Sequence, residues 1–267
     1  MTSPILEISG ATLKYGERQI WSDLNLEVAE GEFIAVIGAN GSGKTALLRS
    51  ILGLVKLDAG TIKLAGQEIR AGHPDIGYIP QHRAIEPDTP LLARDLLRFG
   101  IDGGKFGLPL PAPKAKQRVT AMLSSIEAEH LAGKPVGQLS GGEFQRLRVG
   151  QALINQPKLI LADEPLSALD LHQQGAITDL IDQQRRVNNS SVLFVTHDVN
   201  PILNQVNRVL YLANGRFKIG TPDEVLRSEV LSDLYETPVD VLRNQGRIVV
   251  VGNSHDHDHF DGEVWSR

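Results

Sequence analysis

A chain of 267 residues, 41% hydrophobic and 22% charged, can bury a sizeable core as one large domain or two small ones. A net charge of −5 argues against a nucleic-acid binder working through a broad basic surface, and zero cysteines exclude disulfides and thiolate metal sites. No run of about 18 apolar residues occurs, and Met1-Thr2-Ser3-Pro4 lacks the charge and apolar stretch of a signal peptide, so a cytosolic chain is expected.

In chain order, Ile5–Ile8 and Ala11–Lys14 read as short strands broken by Ser9-Gly10. Leu24, Leu26 and Val28 alternate with polar residues, which predicts a half-exposed antiparallel strand ending at Glu30-Gly31. Phe33–Ile37 is a short apolar run suited to a buried strand, and Ala46–Leu52 reads as a helix. Gly60–Leu64 and Ile76–Ile79 add strands, the second stopped by Pro80-Gln81. Helical spacing then runs over Leu91–Phe99 and Lys114–Leu131, separated by the Gly/Pro-rich stretch Lys105–Pro113. With a further helix from Gly141 to Asn155, stopped at Gln156-Pro157, residues 86–157 are expected to form an α-helical insertion.

Leu159–Ala162 and Val192–Val195 are wholly apolar strands on either side of a helix from Leu171 to Arg186. That order predicts parallel pairing with a right-handed crossover. Arg208–Ala213 and Arg216–Ile219 flank Asn214-Gly215, a hairpin signal. Val239–Leu242 and Arg247–Val251 flank Asn244-Gln245-Gly246, a second one. Residues 254–267 are polar and acidic, with His255, His257 and His259 alternating with Asp256 and Asp258.

Between the Phe33–Ile37 strand and the following helix lies Gly38-Ala39-Asn40-Gly41-Ser42-Gly43-Lys44-Thr45, which fits the phosphate-loop pattern at every defined position. Its glycines let successive N–H groups point inward around an anion, and the helix start adds its positive dipole end. Lys44 can reach β- and γ-phosphates, and the Thr45 hydroxyl can ligate Mg²⁺. Asp163 ends an apolar strand, where its carboxylate can hold the same Mg²⁺, and Glu164 beside it can orient and deprotonate an attacking water. Leu139-Ser140-Gly141-Gly142-Glu143 opens a helix with Ser140 as N-cap, and Ser140 with Glu143 also reads as a capping box.

With this last stretch the sequence resembles the ATP-binding cassette (ABC) ATPase family, whose signature is Leu-Ser-Gly-Gly-Gln; Glu143 stands here in place of the final Gln. The resemblance runs over residues 3–228 with the motifs in family order. It implies a P-loop NTPase core of α/β class with a mixed parallel sheet, an N-terminal antiparallel β subdomain and an α-helical insertion. It divides the chain into an ATPase domain, 1–228, and an extension, 229–267. It makes Tyr15 the aromatic that stacks on adenine, and Gln81 the Q-loop glutamine that senses Mg²⁺ and couples to a membrane partner. Ser167-Ala168-Leu169-Asp170 becomes the loop crossing a dimer interface, and His197 the switch histidine on the γ-phosphate.

The activity implied is ATP hydrolysis with Mg²⁺, Glu164, His197 and Lys44 being catalytic. Ser140, Gly141 and Gly142 of one subunit would close on the ATP of the other in a head-to-tail homodimer. Integral membrane permease subunits would be the partners, with a substrate-binding protein engaged indirectly and no nucleic acid. That places the chain on the cytoplasmic face of a cell membrane.

The stretches around Glu164 and His197 resemble bacterial zinc/manganese importers. The imidazoles of His255, His257 and His259 suit a labile first-row metal site, and equally a solvated acidic tail. A different transported substrate, or a regulatory ATPase outside transport, stays open at this point. A P-loop kinase would have no reason to carry Leu139–Glu143.

Overall fold

The computed structural model describes residues 4–81, 88–102, 113–167 and 169–252. The strands are β1 (Leu6–Tyr15), β2 (Arg18–Val28), β3 (Phe33–Gly38), β4 (Ala59–Leu64), β5 (Gln67–Glu68), β6 (Ile76–Ile79), β7 (Leu159–Asp163), β8 (Ser191–Val195), β9 (Arg208–Ala213), β10 (Arg216–Gly220), β11 (Val239–Asn244) and β12 (Arg247–Gly252). The helices are α1 (Lys44–Ile51), α2 (Ala93–Asp102), α3 (Pro113–Ser125), α4 (Gly141–Leu153), α5 (Leu171–Asn188), α6 (Pro222–Val225) and α7 (Ser228–Tyr235).

The expected mixed sheet is present, in the order β10-β9-β3-β8-β7-β6. Every pair in it is parallel except the β9–β10 hairpin. A separate antiparallel sheet, β2-β1-β4-β5, forms the N-terminal β layer. The strict alternation of side chains along a strand divides the core in two. Phe33, Ala35, Ile37, Ile160, Phe194 and Val209 face one cluster, shared with α2, α3, α4 and α5. Their neighbours Ile34, Val36, Leu161, Leu193 and Leu210 face the other, with α1 and the antiparallel sheet. Burial on both faces is why β3, β7 and β8 read as uninterrupted apolar runs.

Several boundaries differ from the sequence expectation. Ser9-Gly10 does not end β1; the strand continues through a pairing irregularity there, with Gly10 at φ 57°. Helix α3 stops at Ser125 instead of running to Leu131. Ser125 Oγ donates to the Met122 carbonyl, and Glu127 takes the left-handed conformation that closes the turn. No glycine marks that stop. Asn244 belongs to β11, so its hairpin turns on two residues, Gln245 and Gly246, both at positive φ.

The short helices α6 and α7 were not legible as periodic segments. The last elements share the main core: Leu231 and Leu234 of α7, Val239 of β11 and Ile248 of β12 are buried in the same cluster as Phe33 and Ile160.

Candidate nucleotide site

The phosphate loop leaves the end of β3 at Gly38 and enters α1 at Lys44. Gly38 has φ 154°, and a Cβ there would meet the Leu212 carbonyl oxygen at 2.1 Å. Gly43 caps α1 in the left-handed region, and a Cβ there would collide with Ile20 and Trp21. The loop is thus pressed against β9 on one side and β2 on the other, which only glycine allows.

Lys44 is buried, and its Nζ donates to the carbonyls of Gly38 (2.6 Å) and Ala39 (2.9 Å). Two of its three N–H donors are so used, leaving one for an anion. Burial pulls its pKa down, and the negative charges of Glu164 and Asp163 oppose that. The Ser42 hydroxyl is buried without a partner. A phosphate oxygen would supply the missing partner for a buried donor. Ala39, Asn40, Gly41 and Ser42 line a cleft with Arg18 and Ile20 of β2, Asn214-Gly215 and Tyr235.

At the adjacent strand end, Asp163 is 3% exposed. Its carboxylate accepts from Thr45 Oγ1 and from Tyr78 Oη, both at 3.3 Å. Burial raises the pKa of this carboxyl, with the two hydrogen bonds pulling the other way. Tyr78 is pushed up to about 12, first by burial and then by the Asp163 charge. A buried carboxylate beside a hydroxyl is an oxygen-only donor pair, the type a hard Mg²⁺ ion takes, and a cation there would offset the burial cost. The part played by Tyr78 was missed in the sequence. Only the register reveals it, since β6 pairs Tyr78 with Leu161, and Leu161 shares a strand face with Asp163.

Glu164 leaves β7 at φ 46°, with its N–H bonded to the Val195 carbonyl. A non-glycine residue in that region signals a backbone held by its surroundings. Its carboxylate accepts from Gln81 Nε2 at 3.1 Å. The two residues, 83 apart in sequence, therefore meet at the sheet edge. His197 follows β8 and is exposed. It borders one cleft with Glu164, Ser167 and Thr196, and another with Gly38, Ala39 and Asn40.

The remaining candidates stand apart. Tyr15 ends β1 and is 51% exposed, and it is Arg18, its pairing partner, that lines the loop cleft. Ser140 caps α4 and accepts from the Glu143 N–H, while the Glu143 carboxylate accepts from Ser140 N (2.8 Å) and Oγ (2.9 Å). The capping box is therefore complete, and these hydrogen bonds hold Glu143 below the usual carboxylate range. Gly142 lies against Gln173, so a Cβ there would meet the Gln173 amide at 2.8 Å. Asp170 caps α5 by accepting from the Gln173 N–H at 2.8 Å. Ser140, Gly142, Glu143 and Gln173 line a cleft of their own that shares no residue with those at the phosphate loop. Ala168, His255, His257 and His259 lie outside the described residues.

Comparison with known proteins bears on family and fold. The ABC transporter family profile matches residues 21–167, more than half of the chain. A chain of an ABC transporter ascribed to the metal-chelate type, in an inward-facing conformation, superposes with a TM-score of 0.79 at 27% identity, covering 95% of this chain and 99% of that one. CbiO1 from Clostridium perfringens, part of the CbiONQ transporter complex, gives 0.73 at 24% identity over 87% and 94%. The ADP conformation of the MJ1267 ATP-binding cassette gives 0.73 at 23% identity over 87% and 95%. The last two show likeness of fold alone. Phosphate loop, buried carboxylate, helix-capping signature and family profile all coincide, and the chain belongs to the ABC transporter family as an ATP-hydrolysing subunit.

Proposed function

We propose that the chain hydrolyses ATP within a head-to-tail dimer of itself and drives divalent-metal transport, zinc or manganese, through separate permease subunits. The observation that carries the dimer is the separation of two anion-binding halves. The phosphate loop lines clefts of its own, Glu164 shares another with His197, and the exposed Ser140 cap of α4 lines one that has no residue in common with any of them. A second copy related by a two-fold axis brings Ser140, Gly141 and Gly142 onto the ATP held by Gly38–Thr45 of the first. Asp170 and its loop then lie at the interface.

In this reading Lys44 and the loop amides bind the β- and γ-phosphates, and Tyr15 stacks on adenine. Mg²⁺, held by Thr45 and Asp163 with Gln81 nearby, would neutralise the phosphate charge. Glu164, which now accepts from Gln81, takes a proton from the attacking water, and His197 contacts the γ-phosphate. Gln81 thereby joins the base to the helical insertion. A groove of about 630 Å³ between α2 and α3, apolar at Val119 and Leu123 and rimmed by Arg94 and Lys116, is proposed as the seat of an acidic, amphipathic permease loop. The ATPase domain is taken as 1–228 and the extension as 229–267. No described helix is long and apolar enough to cross a membrane, so the translocation path is assigned to the permease, with the chain on its cytoplasmic side.

The dimer is tested by cross-linking, which the absence of native cysteine makes clean. Asn40→Cys and Ser140→Cys chains, mixed in a Glu164→Gln background, should cross-link between copies only when ATP is added. A cross-link indifferent to ATP, or none, rejects the sandwich.

The metal assignment is supported by the resemblance around Glu164 and His197 and by the His255, His257 and His259 tail. Among the described residues there is no cluster of three or more His, Asp or Glu able to hold a metal. Deleting residues 254–267 should abolish calorimetric Zn²⁺ binding while leaving ATPase activity intact. In the full chain that binding should weaken as pH falls through about 6.5, where protons compete for imidazole. Equal heats from both chains reduce the tail to solvated polar sequence.

A further inference from the structure

His197 is exposed, and among the described residues its imidazole makes no hydrogen bond, so its position is set by the backbone that carries it. That backbone is held at two points. On one side, the Thr196 N–H donates to the Val36 carbonyl, two residues before the phosphate loop. On the other, the chain folds into a tight turn: Thr196 Oγ1 donates to the Asp198 carbonyl, and Asp198 Oδ1 accepts from both the N–H and the Nδ2 of Asn200.

Asn200 then crosses to the C-terminal hairpin. Its Nδ2 donates to the Ile248 carbonyl at 2.9 Å, and its Oδ1 accepts from the Ile248 N–H at 2.8 Å. The carboxamide thus substitutes for a peptide group of a neighbouring strand on the edge of β12 that β11 leaves open. The amide orientation is forced, since two oxygens face Nδ2 and one N–H faces Oδ1. The hairpin is itself anchored, with Ile248 and Val239 each 5% exposed in the main core. Val239, Val250 and Gly252 of the hairpin border the same cleft as His197 and Gly38–Asn40.

We propose that Asn200 is a positioning residue for ATP hydrolysis, which fixes His197 over the phosphate loop by clamping its turn to the C-terminal hairpin. This rests on the reading of His197 as the residue that contacts the γ-phosphate. The hairpin, which lies beyond the family match, becomes part of the catalytic framework. A reacting group displaced by about 1 Å loses rate without losing ground-state affinity, so the clamp acts on kcat.

The test is single-turnover hydrolysis of radiolabelled ATP by the full chain in enzyme excess, with KM from steady state and thermal unfolding in parallel. Four proteins are compared: wild type, Asn200→Ala, His197→Ala and the double variant. Asn200→Ala should slow hydrolysis about 3- to 30-fold with KM within about twofold. In the His197→Ala background the same change should cost nothing further, because the residue it positions is gone. A normal rate in Asn200→Ala overturns the clamp alone, as does an equal loss in both backgrounds, which marks a structural effect. A loss confined to KM also overturns it. A normal rate in His197→Ala overturns the switch reading of His197, and the clamp with it.

Discussion

The phosphate loop and the start of α4, proposed above as the two halves of one nucleotide site, are built on opposite plans. The phosphate loop is fixed by packing: Gly38 and Gly43 have no room for a Cβ, Lys44 is buried across the loop, and Ser42 keeps an unpaired buried hydroxyl. The signature at α4 is fixed by its own side chains, where Glu143 already bonds both the amide and the hydroxyl of an exposed Ser140. The first region is preorganised for phosphate within one chain. The second holds a carboxylate of its own at the positive end of a helix, which in the proposed dimer a phosphate would have to share or displace. In the proposed dimer one half recruits ATP, and the other tunes how tightly two chains close on it.

The largest test of that division is at the base. Glu164→Gln should keep ATP binding but lower hydrolysis by roughly 10²–10⁴-fold, the usual range for losing a general base, and should accumulate as an ATP-dependent dimer in size exclusion. Near-normal turnover removes Glu164 from that role. Next, a Lys44→Ala chain and a Ser140→Arg chain should each be inactive alone, and mixing them should recover ATPase activity from one intact composite site per heterodimer. If the signature served its own chain's loop, mixing would restore nothing.

A smaller effect separates the two plans directly. Glu143→Gln removes the competing charge, so half-maximal dimerisation should need about 3- to 10-fold less ATP, by analogy with other charges at helix ends. Unchanged or weaker dimerisation shows that the carboxylate does not compete. The smallest concerns stability. Because the folded Glu143 carboxyl lies below its ordinary value of 4.5, its contribution is complete above that pH and is lost as pH falls through the lowered folded value. Thermal unfolding of wild type and Glu143→Gln should therefore differ most near neutrality and converge in acid.

What the sequence made legible was whatever a short window can encode. The glycines of the phosphate loop, the apolar runs of β3, β7 and β8 and the Asn214-Gly215 hairpin turn are local consequences of backbone sterics and burial. Ser140 with Glu143 is a capping box that spans four residues, short enough to be legible from spacing alone. The end of α3 was not legible, because Glu127 adopts a left-handed conformation that its residue type does not announce. Nor was Tyr78, whose reach to Asp163 depends on β6 lying beside β7 although 79 residues separate the two strands in sequence. The bond between Gln81 and Glu164 and the clamp of Asn200 on Ile248 are likewise products of topology.

The sheet order carries a consequence for how the protein is made. The strand that delivers the phosphate loop, β3, pairs with β8 and β9 only, so both its partners are synthesised more than 150 residues later. Until Val195 has left the ribosome Phe33–Gly38 has neither flanking strand, and until Ala213 has followed it still lacks the second. Non-local parallel pairing of this kind closes slowly and leaves sticky edges exposed while it waits. A chain truncated between β7 and β9 would hold every residue of the phosphate loop, Asp163 and the signature, and still be an aggregation-prone fragment in need of a chaperone.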